Sequence, residues 1–459
     1  LTRNIKPFLL LLSLALVVCG SFAAGRRLRQ VVAHTNFPNA RVTALPESGI
    51  GARADEGLTA AQLNDSSPAE TFLEVLKYIK SDYVERITDE KKLGFGAVRT
   101  MLASLDDPKT RFVEPEQRKQ LEEQINGHFR GIGAVVTVVK QKRGEIEQRR
   151  LAVVAPAPGS PADKGGIRAG DIITEIDGRW VIAYDPRKDL DRMRVRELTD
   201  EQYRKAFKEA TQRLMDGLTL PKALELLNTN REKPLALTIE RPGVSTPIKV
   251  SISTASVMVD PVEFKALNSR VGYLRVTQFN DRATQLFTEA LASAEQPAFI
   301  VDLRDNAGGP VDSSMHGVYG SARALLGHFT SAGPVGMILR RGNRRDPIVA
   351  ASSRSAGRKL VVLINRGTAN VAEFVAAALK EKANAILIGT PTFGDSILQK
   401  LIPLQSGAAM TVTAGKFLTA SGMDFTGKGL TPDVAVATNG VRSSNDPAIQ
   451  RALSVLSGA

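Results

Sequence analysis

Between Ser67 and Ile79 the apolar residues Phe72, Val75, Leu76 and Ile79 recur at the spacing of one helix face. Ser67, Pro68 and Glu70 form a capping box with proline at the first helical position, so a helix is predicted to start there abruptly. A second helical stretch around Gly96 to Leu105 runs into the turn DDPKTRF, and residues 67–127 read as a small helical N-terminal unit. The period changes at Ile132. Residues 132–139 are apolar and β-branched, and RLAVVAP, DIITEIDG and PLALTIERPG follow as strands bounded by glycine or proline, which predicts a β-rich module over 128–258. A helical insertion near 182–230 interrupts it. Within the insertion, Thr199 and Gln202 cap a helix to Leu218 whose face Tyr203, Phe207, Ala210 and Leu214 requires a partner surface, on the body or on another chain.

Beyond Pro261 strands alternate with helices. VGYLRVTQF, AFIVDLRD, KLVVLIN and AILIG read as buried strands, with helices near 281–294, 311–326 and 371–382 between them. The fold class is therefore multidomain, β and α/β, with a mainly parallel sheet in an α/β core over 259–440 and a C-terminal tail over 441–459. Sites in such cores lie beyond the C-terminal ends of the strands.

Composition alters this picture at the N-terminus. The apolar run 7–24, preceded by Arg3 and Lys6 and ending in small residues, has the pattern of a secretory signal within residues 1–30. It is also long enough to stay as a membrane anchor, and lipidation at Cys19 is a third option that Val18 fits poorly. Either way an exported protein, periplasmic or otherwise extracytoplasmic, is expected. Residues 31–66, rich in Pro, Gly, Ala, Ser and Asn, read as a flexible linker. Cys19 is the single cysteine, which excludes an intramolecular disulfide and a thiolate zinc site. The net charge of +13 is spread along the chain without aromatic interleaving, so no nucleic-acid partner is expected. His34, His128, His316 and His328 lack metal-ligand spacing and no phosphate loop occurs, so neither a metal nor a cofactor is expected.

Two sets of motifs carry chemistry. In the β-module, Arg130, Gly131, Ile132 and Gly133 precede a strand, and SPADKGGIRAGDIITEIDG follows. Together they resemble a PDZ domain, in which backbone N–H groups of such a loop hold a ligand's terminal carboxylate while the ligand adds as a strand. In the second half, VGYLRVTQFN, VDLRDNAGG, LINRGTANVAEFVAAALK, IGTPTFGDSILQ and GKFLTASGMDFTGKGLTPDV appear in succession. These segments, with SLDDPKTRFVEPEQ upstream, resemble the carboxyl-terminal processing, or tail-specific, proteases over residues 67–437.

The resemblance implies a serine–lysine dyad. A serine hydroxyl is a weak nucleophile, so a desolvated lysine must take its proton. On this chain the nucleophile position is Asn370 and the base position is Asp395. Asparagine has no hydroxyl to deprotonate. Gln399 matches a glutamine that assists the family's dyad, and Gly308, Gly309 and the Val371 N–H match its oxyanion hole, where Pro310 alters the loop. A structural role is also open to the substituted pair: Asn370 as N-cap with Glu373 reaching back, its amide donating to Asp395. Thr368 and Ser396 are the candidates for a relocated nucleophile. The resemblance implies polypeptide C-terminal tails as ligands. It leaves open a silent tail-binding protein, working with an active relative or adaptor, and an active endopeptidase with altered groups. Oligomeric state is not legible.

Overall fold

A computed structural model describes residues 67–457 apart from 144–145, 183–186, 188–189, 191–197, 310, 313–316, 352–356 and 438–444. The export segment 7–24, the linker 31–66, Pro310 and His316 lie outside the described residues. The chain divides into two compact units, Leu1–Ile87 and Thr88–Ala459. In the first, the helix Pro68–Asp82 begins at the anticipated capping box, with Ser67 N–H on Glu70 Oε2 at 3.1 Å and Glu70 N–H on Ser67 Oγ at 3.3 Å.

The helices Glu90–Ala103 and Pro115–Ile125, read in sequence as part of the same small unit, belong instead to the second. Leu102 and Phe112 are buried with Ala408, and Val113 with Leu401 and Ala409. The strand Arg111–Val113 pairs with Ala409–Thr419, so sheet pairing across some three hundred positions outweighs local helical continuity.

The β-module holds an antiparallel sheet in the order Ala134–Arg143, Ile146–Pro156, Ile172–Ile176, Leu235–Glu240, Ile248–Ile252. Leu151, Val153, Ile173, Ile176, Leu237 and Ile239 alternate onto its inner face, where Ala223 and Leu227 of the helix Leu220–Leu227 cover them. Among the described residues the strand Ala134–Arg143 is an edge, with a partner on one side only. The insertion helix Asp200–Asp216 starts at the Thr199–Gln202 capping box, and its apolar face is covered only in part by this chain: Ala210 is buried and the Arg213 guanidinium lies 4.9 Å from the Trp180 ring, but Phe207 stays exposed.

The α/β core contains two sheets. In the first, Val271–Val276, Ala298–Asp302, Lys359–Ile364, Ile386–Gly389 and Val434–Ala435 run parallel, and Val262–Ala266 adds antiparallel at the edge. Both faces are covered, which is why these strands read as unbroken apolar runs. Leu274, Phe299, Val301 and Val362 face the helices Asp281–Ser293, Val318–Phe329 and Val371–Ala383. Tyr273, Ile300, Val361 and Leu363 face a helix, Pro447–Ser457, formed within the segment read as a tail. Ala448, Ile449, Ala452 and Leu456 are at helical spacing and buried, and Asp446 caps the helix through the Ala448 N–H at 2.9 Å. Asp446 also meets Arg304, itself paired with Asp302, in a buried cluster.

The second sheet is mostly antiparallel, in the order Val311–Asp312, Ile397–Pro403, Ala409–Thr419, Gly333–Leu339, Arg345–Ala350. No unbroken apolar run marks it in the sequence. The helix expected over 311–326 is displaced: Val311–Asp312 pairs parallel with Lys400 and Leu401, and the helix starts only at Val318. Between the sheets, the helix Val371–Ala383 is buried without a break from Val371 to Leu379, and its Phe374 stacks on Phe417 at 5.2 Å. An all-round apolar helix is what two enclosing layers demand.

Candidate functional site

The strand Lys359–Ile364 ends in a loop that turns sharply into the helix Val371–Ala383, and Asn370 stands at the turn with φ 54° and ψ −121°. This backbone region is sparsely populated by non-glycine residues, so the surroundings must hold it. They do so closely. Ala369 N–H donates to Asn306 O at 2.9 Å and Phe393 N–H to Thr368 O at 3.0 Å. Gly308, with φ +66°, lies so near that an added β-carbon would fall 2.8 Å from Asn370 Cβ and 3.0 Å from the Val371 nitrogen. Only glycine fits there.

Glu373 ties this loop to the base segment. Its buried carboxylate accepts Asn370 N–H at 3.0 Å, Gly394 N–H and Asp395 N–H at 2.8 Å each, and the Thr392 hydroxyl. Burial pushes the Glu373 carboxyl up to about 7; the donors from Thr392, Asp395 and Gly394 oppose that shift, and the charge of Asp395 adds to it. The expected reach of Glu373 back to Asn370 is therefore present, as one contact of a larger hub. Only the cap is legible in the sequence, because the loop at 392–395 becomes a neighbour of Glu373 only in the fold.

The expected contact between Asn370 and Asp395 is absent. Asn370 Nδ2 donates instead to Ile397 O at 2.6 Å, and the Asp395 carboxylate is paired with the Lys109 ammonium. A cation is a stronger partner for a carboxylate than a neutral amide. Lys109 comes from the turn DDPKTRF and was not singled out from the sequence. An acid where a lysine was expected was the available signal, since a half-buried carboxylate requires a counter-charge. The turn is firmly seated: Lys109 N–H donates to Asp107 Oδ1 at 3.0 Å, and the Lys109 carbonyl accepts Gln399 Nε2 at 2.9 Å and Thr411 Oγ1 at 2.7 Å. Gln399 thus positions the Lys109 backbone rather than touching Asn370 or Asp395 through a described hydrogen bond.

The hydroxyls proposed as relocated nucleophiles are spent. Thr368 is buried, donates to Leu303 O at 2.9 Å and accepts Asn365 N–H at 3.0 Å. Ser396 is buried, donates to Asp424 Oδ1 at 3.0 Å and contacts Thr426 Oγ1. In the expected oxyanion hole, Gly308 N–H is turned inward to Asn306 Oδ1 at 3.0 Å, whereas no acceptor among the described residues faces the N–H groups of Gly309 and Val371.

Asn370, Asp395, Lys109, Gln399 and Gly309 line one end of a cleft of about 720 Å³, whose other end is the β-module groove. There the edge residues Ala134 to Val138 line the cleft with Leu224 of the helix Leu220–Leu227 and with Asn228 and Asn230 just beyond it. Of the expected carboxylate loop, Arg130 lines the cleft and is ion-paired with Glu123 at 3.0 Å. The loop's N–H groups already have acceptors: Gly131 donates to Asn230 Oδ1 at 2.9 Å, Ile132 to Leu227 O at 2.9 Å and Gly133 to Arg130 O at 3.2 Å.

An edge strand lining a cleft that runs to a strand-to-helix turn between two sheets defines the class as a peptidase fold that carries a PDZ domain. Comparison agrees. The sequence pattern of Peptidase family S41 matches residues 270–436 and that of the PDZ domain matches 153–193. The chain belongs to the carboxyl-terminal processing protease family. It is 30% identical over 360 residues to the carboxy-terminal processing protease CtpA of Bacillus subtilis, covering 78% of this chain and 66% of the relative, just under two thirds of its length. It is 29% identical over 392 residues to the carboxyl-terminal-processing protease of Synechocystis, covering 83% and 81%. Among solved structures it resembles a photosystem II D1 C-terminal processing protease at 25% identity and a TM-score of 0.58, covering 83% of this chain and 90% of that one.

Proposed function

We propose that this protein is an exported pseudoprotease that binds exposed polypeptide C-terminal tails and does not hydrolyse them. The observation that carries the reading is the pairing inside the cleft: Asn370 stands at the nucleophile position, and Asp395 at the base position is neutralised by Lys109. A tail adds as a strand to the free edge at Ala134 to Val138 and extends along the cleft toward Asn370. Among the described residues at that end, no hydroxyl is presented to a base; that of Thr411 donates to the Lys109 carbonyl. Asn370 uses its amide donor on Ile397 O, and Thr368 and Ser396 are buried with their hydroxyls engaged. The tail is held in an extended state and released unchanged, which suits a sequestering protein or an adaptor for an active relative. The pattern of residues 7–24 supports placement in the periplasm or another extracytoplasmic compartment, as a cleaved signal or an anchor.

The test is to incubate the purified protein with peptides ending in apolar residues and to follow both binding and fragment masses. Saturable binding without fragments is expected. Sustained turnover, abolished by Thr368→Ala or Ser396→Ala, would favour an active endopeptidase with altered groups instead.

A further inference from the structure

The two ends of the cleft differ in readiness. The strand edge at Ala134 to Val138 is open, but Gly131, Ile132 and Gly133 are absent from the cleft lining, and each of their N–H groups is already bonded. The bond from Gly131 is of a different kind from the other two. Ile132 and Gly133 donate to backbone carbonyls of Leu227 and Arg130, fixed parts of the module. Gly131 donates to a side chain, the Asn230 carboxamide, which enters from just beyond the helix Leu220–Leu227 and whose nitrogen donates to Ser256 Oγ at 2.8 Å. Asn230 is exposed and lines the cleft. Its oxygen accepts one of the loop N–H groups that the PDZ resemblance assigns to a ligand carboxylate.

We infer that Asn230 occupies the seat of a ligand's terminal carboxylate and sets the affinity threshold for tails, a deduction that rests on the tail-binding reading above. The substitution is reversible on physical grounds. A hydrogen bond from an N–H to a charged carboxylate is about twice as strong as one to a neutral amide, so a free C-terminus displaces Asn230. The released side chain is already at the surface, so water replaces both of its bonds. A ligand without a terminal charge, such as an amidated peptide or an internal segment, gains nothing over Asn230 at this point. The groove thereby discriminates for free C-termini by competition.

The experiment compares Asn230→Ala and Asn230→Asp with the unmodified full chain. Binding of a fluorescent peptide with an apolar free C-terminus, and of its C-terminally amidated twin, is measured by anisotropy, with thermal unfolding confirming that each variant folds. Removing the competitor is expected to tighten binding of the free-carboxylate peptide by about three- to tenfold, the worth of one net hydrogen bond, and to leave the amidated peptide unchanged. Asn230→Asp places a permanent carboxylate on the Gly131 N–H and is expected to weaken the free-carboxylate peptide by a similar factor. An unchanged or weaker Asn230→Ala interaction overturns the inference, as does an equal gain for both peptides, which would mean only a wider groove. Absence of binding by all three proteins removes the tail-binding reading and the inference with it, a result distinct from binding that ignores residue 230.

Discussion

Lys109 and Asp395 meet although they lie 286 positions apart, and their side chains are only 18% and 14% exposed. Taking one charge away strands the other in a half-buried cleft. Lys109→Met is expected to lower unfolding free energy by about 1–2 kcal/mol, and Lys109→Met with Asp395→Asn to recover most of it; urea titrations of both variants check this. Glu373 makes a prediction of the opposite electrostatic kind. Its carboxyl is raised from 4.5 to about 7 by burial, so between those values the folded protein holds a proton that the unfolded chain has released. The stability associated with it is present below about pH 4.5 and is lost as the pH rises through about 7. Denaturation midpoints measured across that range are expected to fall with pH more steeply in the native sequence than in Glu373→Gln. At this scale the sequence marked Asn370 and Asp395 as unlike the residues the resemblance implies, but not what they touch. Asn370 and Asp395 were visible because they interrupt matching segments; Lys109 and the Glu373 hub were not, because their partners come from distant turns.

At the scale of elements, buried parallel strands were the most legible part, since Val271–Val276, Ala298–Asp302, Lys359–Ile364 and Ile386–Gly389 are apolar on both faces. The second sheet was not, because its strands are partly exposed and paired out of chain order, as Val311–Asp312 with Ile397–Pro403 shows. The helix Pro447–Ser457 was hidden by its position after the last recognisable segment, although its apolar spacing is clear once the sheet face is known. Removing it would uncover Val361, Leu363 and Ile388 and would leave Asp446, a partner of Arg304, without the helix it caps. Asp446→Ala alone is expected to cost about 2–4 kcal/mol, read from denaturant midpoints, because it leaves part of a buried cation uncompensated and uncaps the helix. The insertion helix Asp200–Asp216 needs no partner chain for Ala210, which is buried within this one.

Across the whole molecule, the cleft joins the open strand edge of the β-module to the turn that carries Asn370. The strained turn at Asn370, Gly308 pressed against it, and the Val371 N–H facing no acceptor among the described residues are parts that hydrolysis would use. Retention of this geometry is understandable without chemistry, because Glu373 needs the turn to satisfy its carboxylate and the helix Val371–Ala383 needs Glu373 to fix its start. Family and domain order were readable from motifs alone, whereas the closure of the loop at Gly131 depended on Asn230, a residue no motif marks. The central claim is that hydrolysis is lost while its framework remains. It is tested most directly by following fragment masses from a tailed peptide with the native sequence, Asn370→Ser, Asp395→Lys and the double variant. The account predicts fragments from the double variant alone, where Lys109 beside the new lysine also favours its neutral, proton-accepting form. Fragments produced by the native sequence would contradict it.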